Sequence, residues 1–522
     1  MNRREVLEWL GVVAYGGVLG ARPQLSGADD PESSGTPTAA EKAAGVTPQN
    51  FAYAPLNVMR YGAVGDGVTD DRAAIRAAWL VARQQGGGTI VFPNRATYVV
   101  GSLDPASPVA IPQQQAGGTI EYHKYQTQLY FQNGSNIAFD FQGSTLKSTA
   151  TGGGLFMVLD GCKDIRLLGP KISGAQVMST GVVSLGNIRG GSGYANGTYR
   201  SVPLTGGSGG GAVVDVVVSG GAVTSASVSY PGGHYKVGDT VSCSNAPLGN
   251  SGSGFSATVA SVSGAGPTVA VAAPNGIVCT ALTRPTSNIT INDLEVSAMY
   301  SGLYVVGDPT TANSISHINL TGHTRIRDGD YAVALHNGGD DSVIENLYTF
   351  RVNRPFFFYG VQNVRLTCVG DQTNFGFQPV IKAYSRSTRN ITVKYSAINQ
   401  PGQSGAVAKV AIQVQHDPAV ISPPPTVQTV SLQYDEANLS AGGNGVEFDY
   451  YAGPGGATMQ SASDHQLFND IVISGNSRNT LLTTVALNNP AARCNITVDH
   501  FSFAAPRAPH ELTANGFAMS RR

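Results

Sequence analysis

Between Ile326 and Asn337 the chain reads I-R-D-G-D-Y-A-V-A-L-H-N, which sets two carboxylates, Asp328 and Asp330, at the start of an alternating apolar run. Two carboxyls about 5 to 9.5 Å apart are what hydrolysis of a glycosidic bond requires, one as proton donor and the other as base or nucleophile. Glu447 and Asp449, in N-G-V-E-F-D-Y-Y, are a second pair of this kind, and His336 or Arg354 could orient either pair. The plain alternative makes Asp328 and Asp330 turn carboxylates that accept backbone N–H groups. A second chemistry draws on different residues. β-Elimination from a uronate needs a base for the C5 proton and cations, or calcium, to stabilise the carboxylate; Lys382, Arg354, His336 and Tyr331 or Tyr359 could serve. Residue types alone leave both reactions open, with hydrolysis slightly ahead.

Residues so far apart in sequence can act together only on a framework that stacks them. A short strand with Asn, Asp or His before Ile or Val recurs at Asn136-Ile137, Asp164-Ile165, Asn288-Ile289, His317-Ile318, Asn363-Val364, Asn390-Ile391, Asp470-Ile471 and Asn495-Ile496. The separations 28, 29, 27 and 25 are single-coil lengths of a solenoid whose inward Ile and Val stack in columns. Composition agrees: 65 glycines and only 13% charged residues favour many short strands and tight turns.

Other classes are excluded. Thirty-three basic against 34 acidic residues give a net charge of −1, and no basic run interleaved with aromatics occurs, so nucleic acid is a poor partner. Cys162, Cys243, Cys279, Cys368 and Cys494 lie far apart with no C-x-x-C, which argues against zinc and against a dense disulfide scaffold. At the amino terminus, M-N-R-R-E-V-L-E followed by a weakly apolar, Gly-rich stretch reads as an export signal over residues 1–21. Arg3-Arg4 before Val6-Leu7 resembles the twin-arginine signal, against an ordinary secretory signal or an amphipathic first helix. Residues 22–49, with Pro23, Pro31 and Pro37 among Ser, Ala and Gly, read as a solvated linker, so secreted or periplasmic folded structure is expected from Asn50.

From Asn57 to Val100 the text N-V-M-R-Y-G-A-V-G-D-G-V-T-D-D-R-A-A-I-R-A-A-W, then G-G-G-T-I-V-F-P, predicts a helix capped by Thr69 with Ile75, Ala78, Trp79 and Ala82 on one face. This stretch closely resembles the opening segment of the pectin-lyase-like superfamily, which includes polygalacturonases, lyases, epimerases and phage tailspikes. The resemblance implies an all-β fold, a right-handed parallel β-helix with an N-terminal capping helix, and makes Asp66, Asp70 and Asp71 structural. One gap breaks the repeat: Ile165 to Ile289 spans 124 residues. Within it, alternating V-V-D-V-V-V-S and Gly-Gly turns predict a small antiparallel β module over 185–275, inserted between first coils at 50–184 and further coils at 276–505, with a tail at 506–522.

If one sheet floors a groove, equivalent side chains of adjacent coils lie about 4.8 Å apart. The expected outward columns are Tyr304, Ala334, Phe357, Lys382, Gln413, Asp449 and Val306, His336, Tyr359, Tyr384, Gln415, Tyr451, a wall suited to a sugar chain. Here I-R-D-G-D-Y-A-V-A-L resembles the polygalacturonase pattern, with Asp330 on the first Asp of Gly-Asp-Asp and Tyr331 in place of the second. Val380-Ile381-Lys382 falls on the Arg-Ile-Lys element and keeps only the lysine; the remaining elements are replaced near Tyr300-Ser301 and Arg354. The resemblance therefore implies a polysaccharide-degrading enzyme, a polygalacturonase-like glycoside hydrolase or a polysaccharide lyase. Catalysis is expected from Asp330, Asp328, Lys382 and His336, and binding from Arg354, Tyr331, Tyr359, Tyr384, Tyr304, Asp449 and Glu447. No cofactor is expected, with calcium left open for a lyase; Asp340-Asp341, in H-N-G-G-D-D-S, reads first as a plain turn and second as a calcium site. A non-catalytic glycan-binding or tailspike-like attachment protein, monomer or homotrimer, is the rival reading.

Overall fold

A computed structural model describes residues 35–114, 119–371, 379–398, 410–416, 423–437, 444–452, 467–477, 480–483, 495–503 and 518–521, less 312–313 and a few positions between 176 and 272. The expected export signal, residues 1–21, lies outside the described residues. No helix among those residues is long and apolar enough to cross a membrane.

The chain is a right-handed parallel β-helix. The Ile columns stack as the repeat predicts: Ile137 pairs with Ile165, Ile165 with Ile289, Ile289 with Ile318, Val364 with Ile391, Ile391 with Val430, and Val430 with Ile471. The polar residue before each apolar one has a conformational cause. Asn136, Asp164, Asn288, His317, Asn363, Asn390 and Asp470 all have φ between +54° and +57°, the left-handed region that Asn and Asp tolerate best among residues with a Cβ. Several also bond along the stack: Asn288 Nδ2 donates to Asp164 Oδ1 at 2.9 Å, and Asn390 Nδ2 to Asn363 Oδ1 at 2.8 Å.

The capping helix spans Arg72–Gln84 and buries Ile75, Ala78, Trp79 and Ala82 as expected. Its start differs from expectation. Thr69 belongs to the strand Asp66–Asp70, and the N-cap is Asp71, whose carboxylate instead accepts the backbone N–H of Val64 and Val99 at 2.6 and 3.2 Å. One carboxylate thus ties the start of the helix to the segment at Val64 and to the strand Thr97–Val100, a gain a simple cap bond would forgo. The ring of Trp79 then packs so closely on the first coil that a Cβ on Gly134 would lie 2.1 Å from it. A second correction concerns residues 38–49. Thr38 opens a capping box on the helix Ala39–Ala43, and the buried Glu41 receives Arg60 Nε at 2.6 Å and Tyr61 Oη at 3.0 Å, so order begins before Asn50. At the other end, Ala518–Arg521 pairs with Asn495–Val498 as a strand within the expected tail.

Strands Val182–Ser192 and Ser253–Val262 pair antiparallel, Val213–Ser219 pairs with Ala222–Tyr230, and this segment buries its own core of Val202, Val214, Val216, Tyr235, Val241 and Phe255. A further antiparallel hairpin, Val109–Gln114 with Ile120–Tyr125, was not expected from the repeat.

Candidate active site

One parallel ladder floors the groove: Leu155–Asp160, Asn275–Thr280, Ser301–Val306, the end of Thr324–His336, the end of Val343–Tyr359, Val380–Ala383, Val410–His416 and Asn444–Ala452. Alternation decides what faces out. Leu303, Val305, Val333, Leu335, Phe356, Phe358, Ile381 and Ile412 enter the core, which leaves Tyr304, Ala334, His336, Phe357, Tyr359 and Lys382 on the groove face.

The register corrects the expected columns. Tyr304 aligns with Ala334 and Phe357 as expected, but Phe357 pairs with Val380, while Val306, His336, Tyr359, Lys382, Gln413 and Asp449 form one row. The stack slides by two residues at Val380. A slide of two keeps every side chain on its own face, so the in–out pattern of the sequence carries no trace of it. Its chemical effect is to bring Lys382 into the row of His336.

His336 is the hub of the wall. Its ring stacks on Tyr359 at 4.0 Å and meets Tyr304 and Phe357 edge-on at 5.0 and 5.2 Å. Burial first, and then the charges of Arg354 and Lys382, hold its pKa well below the usual imidazole value, so it is neutral at pH 7. Its Nε2 is closed off from bulk solvent with no hydrogen-bond partner. Leaving such a nitrogen unpaired costs about 1–3 kcal/mol, a cost that a bound ligand would recover.

Arg354 Nη1 donates to the Tyr331 hydroxyl at 2.7 Å, and its guanidinium lies 5.1 Å from the ring centroids of both Tyr331 and Phe357. Lys382 Nζ donates to Gln415 Oε1 and sits 4.5 Å from the Tyr384 ring. Burial pushes the Tyr331 phenol up to about 12, with Arg354 pulling the other way, and burial raises Tyr300, Tyr304 and Tyr359 further. The tyrosines are thus protonated at neutral pH and equipped to donate.

The expected acid pair is held by the protein itself. Asp328, with φ of +60°, accepts Arg351 Nε at 2.6 Å and Arg327 Nη1 at 3.2 Å, one on each carboxylate oxygen. Asp330 is buried and accepts Asn353 Nδ2 at 2.7 Å, while its backbone N–H bonds the Tyr300 carbonyl. Glu447 and Asp449 lie on Asn444–Ala452 in register with Ala411 and Gln413; their side chains fall outside the described residues. The Asp340-Asp341 turn does not suit calcium: Asp340 is taken by Arg386 and by Gln362, and Asp341 accepts Asn363 Nδ2 at 2.7 Å. Among the described residues no group of three or more His, Cys, Asp or Glu could hold a metal ion.

Tyr300, expected only to mark a replaced motif element, and Gln113 join the site as well. Tyr300 stands 5.6 Å from Tyr331, ring to ring, and Gln113 of the hairpin donates to the Tyr304 hydroxyl at 2.9 Å. For Tyr300 the available signal was its place one residue ahead of the strand Ser301–Val306, matching Asp330 of the next coil.

No protein-family model matches the chain. Over 50 residues, a tenth of the chain, it is 48% identical to the mannuronan C5-epimerase AlgE1 of Azotobacter vinelandii, and the match spans 4% of that protein's length. Among solved structures it is similar to the A-module of the mannuronan C-5 epimerase AlgE6 of A. vinelandii, at 14% identity and a TM-score of 0.35, covering 86% of this chain and 100% of that one. The surface adhesin PfbA of Streptococcus pneumoniae gives 10% and 0.36 over 86% and 91% of the two chains. The catalytic unit of a GH87 α-1,3-glucanase from Streptomyces thermodiastaticus gives 9% and 0.34 over 89% and 68%.

Proposed function

We propose that the groove binds an acidic polysaccharide and removes the C5 proton of a uronate residue, the step from which β-elimination follows. One observation carries the reading: a neutral imidazole, His336, feels the charges of two cations, Arg354 and Lys382, from the next two strands of a wall of protonated tyrosines. The C5 proton becomes removable only when negative charge spreading onto the carboxylate is met by fixed positive charge in a site poor in water. Arg354 and Lys382 meet it, Nε2 of His336 accepts the proton, and the Tyr331 hydroxyl, polarised by Arg354, protonates the leaving oxygen. Asp330 acts behind the wall through Asn353 and Tyr300.

Hydrolysis calls for two carboxyls with room for a water and freedom to exchange a proton. Ion pairs on both oxygens of Asp328 fit that poorly, so elimination moves ahead of it. The short stretch shared with a mannuronan C5-epimerase agrees with this reading, since the activity named for that protein is at C5. We place the protein outside the cytoplasm, where such polymers are met, on the strength of the Arg3-Arg4 segment.

The test is incubation in heavy water with polymannuronate, polyguluronate and polygalacturonate beside neutral glucans. The expected result is the ultraviolet absorbance of unsaturated uronates, deuterium at C5 by nuclear magnetic resonance, or both: elimination leaves C5 without a hydrogen, and deuterium there marks reprotonation in place of elimination. New reducing ends with neither signal would make the protein a hydrolase, and binding without any reaction would make it an attachment protein.

A further inference from the structure

A groove on a parallel β-helix is ordinarily open along the stack, and the described floor here is not. The hairpin Val109–Gln114 with Ile120–Tyr125 lies on its outer face. Val109 and Ile111 pack with Leu155, Val158, Val278 and Val306, all at most 5% exposed. Those four belong to three consecutive floor strands, Leu155–Asp160, Asn275–Thr280 and Ser301–Val306. Apolar burial of this extent makes the hairpin a fixed part of the fold. Two polar contacts pin it further: Gln113 Nε2 to Tyr304 Oη at 2.9 Å, and Tyr122 Oη to Asp308 Oδ2 at 2.7 Å.

The cover stops at Tyr304. One coil on, Tyr331 and His336 are partly exposed, as are Phe357, Lys382, Gln413 and Gln415 of the following coils. At the boundary lies a pocket of about 330 Å³, walled on the covered side by Gln113, Tyr125 and Tyr304 and on the open side by Tyr331, Ala334 and His336. That volume is at the small end of ligand sites and holds about one or two sugar rings. The unpartnered Nε2 of His336 belongs to the same pocket wall.

We infer that the hairpin is an end stop: the polysaccharide lies over the open coils with its terminus in this pocket, so the protein acts on chain ends. This rests on the uronate reading for the kind of chain and adds where along it the protein works. A chain continuing past the pocket would have to displace the hairpin from the Leu155, Val278 and Val306 surface. Cations at Arg354 and Lys382 lie two and three strands beyond the last covered strand, Ser301–Val306, which sets the reacting residue close to the terminus.

The experiment is calorimetric titration of the full chain with a short and a long oligouronate of the same sugar, matched in concentration of chain ends. End binding gives one protein per chain and the same affinity for both lengths. Several proteins on each long chain, or no binding to either oligomer, overturns the proposal. Product sizes early in the reaction give a second readout, with a single small product expected and a ladder of lengths against it. The double variant Gln113→Ala/Tyr122→Phe, checked by its thermal unfolding, should shift products toward the ladder; an unchanged profile counts against the hairpin as the stop. End-dependent binding with neither elimination nor exchange at C5 would uphold the stop while refuting the catalytic reading, and either reaction on chains of any length with several proteins bound would do the reverse.

Discussion

Arg354 reaches the Tyr331 hydroxyl with one guanidinium nitrogen at 2.7 Å while its guanidinium carbon lies over the neighbouring rings of Tyr331 and Phe357, 5.1 Å from each centroid. A lysine can supply the charge there but not the flat face or the fork of donors. Arg354→Lys should therefore lower the rate of reaction at C5, read as elimination or exchange, about 10²–10³-fold, the usual cost of one misplaced electrostatic donor. Tyr331→Phe should cost a similar factor. Because the two act as a unit, the double variant should be little worse than either single one. Rates that multiply would show that the pair does not share one step.

Asp328 and Arg351 form an ion pair whose side chains are 7% and 9% exposed. Removing one partner of such a pair leaves a poorly solvated charge, worth about 3–5 kcal/mol. Asp328→Asn keeps the left-handed backbone that Asn accepts, so its effect reports the charge alone. The expected outcome is a marked drop in the denaturation midpoint, with activity at C5 retained in the folded fraction. Normal stability with lost activity would restore Asp328 to the chemistry.

His336 carries a pH signature. Its folded pKa lies below 6.5, so on acidification the unfolded chain takes up this proton first. The contribution is absent above the unfolded value and costs stability as pH falls beneath about 6.5, by at most about 1.4 kcal/mol per unit. His336→Phe keeps a ring in the stack and should flatten that part of the stability profile. Equal slopes for both proteins between about pH 6 and 4 would mean that His336 is not buried neutral.

Asn363 donates to Asp341 Oδ1 at 2.7 Å and accepts from Asn390 at 2.8 Å with φ of +57°. Asn363→Ala loses both bonds and pays for the left-handed backbone, about 1–2 kcal/mol together. Asn363→Gly loses only the bonds and should be the milder of the two in urea unfolding. Equal losses in the two variants would mean that the ladder, not the backbone, selects asparagine.

The coil repeat was legible because two strict local demands coincide at one corner: an apolar side chain turned inward and, just before it, a residue that accepts positive φ, as at Asn288-Ile289 and Asn390-Ile391. The groove residues were legible as types, since outward Tyr304, His336, Tyr359 and Lys382 follow from alternation. Their neighbours were not. The slide that sets Lys382 beside Tyr359 is even in residue count and leaves no mark on the in–out pattern. The Asp328–Arg351 pair joins residues 23 apart whose bonding depends on that stacking. The hairpin over the floor was hidden for another reason: V-A-I-P-Q-Q and I-E-Y-H-K-Y alternate like any coil strand, and only the antiparallel pairing sets them apart.

The left-handed corners have a consequence for how such a chain can change over time. Each coil returns to the same backbone state at the same height, so the stretch between two corners is a closed unit. The 27 residues separating Asn363 from Asn390 could be copied once without altering the in–out sense of anything downstream. Groove length is thus open to gradual inheritance by whole turns, while the row of His336, Tyr359 and Lys382 keeps its distance from the hairpin unchanged.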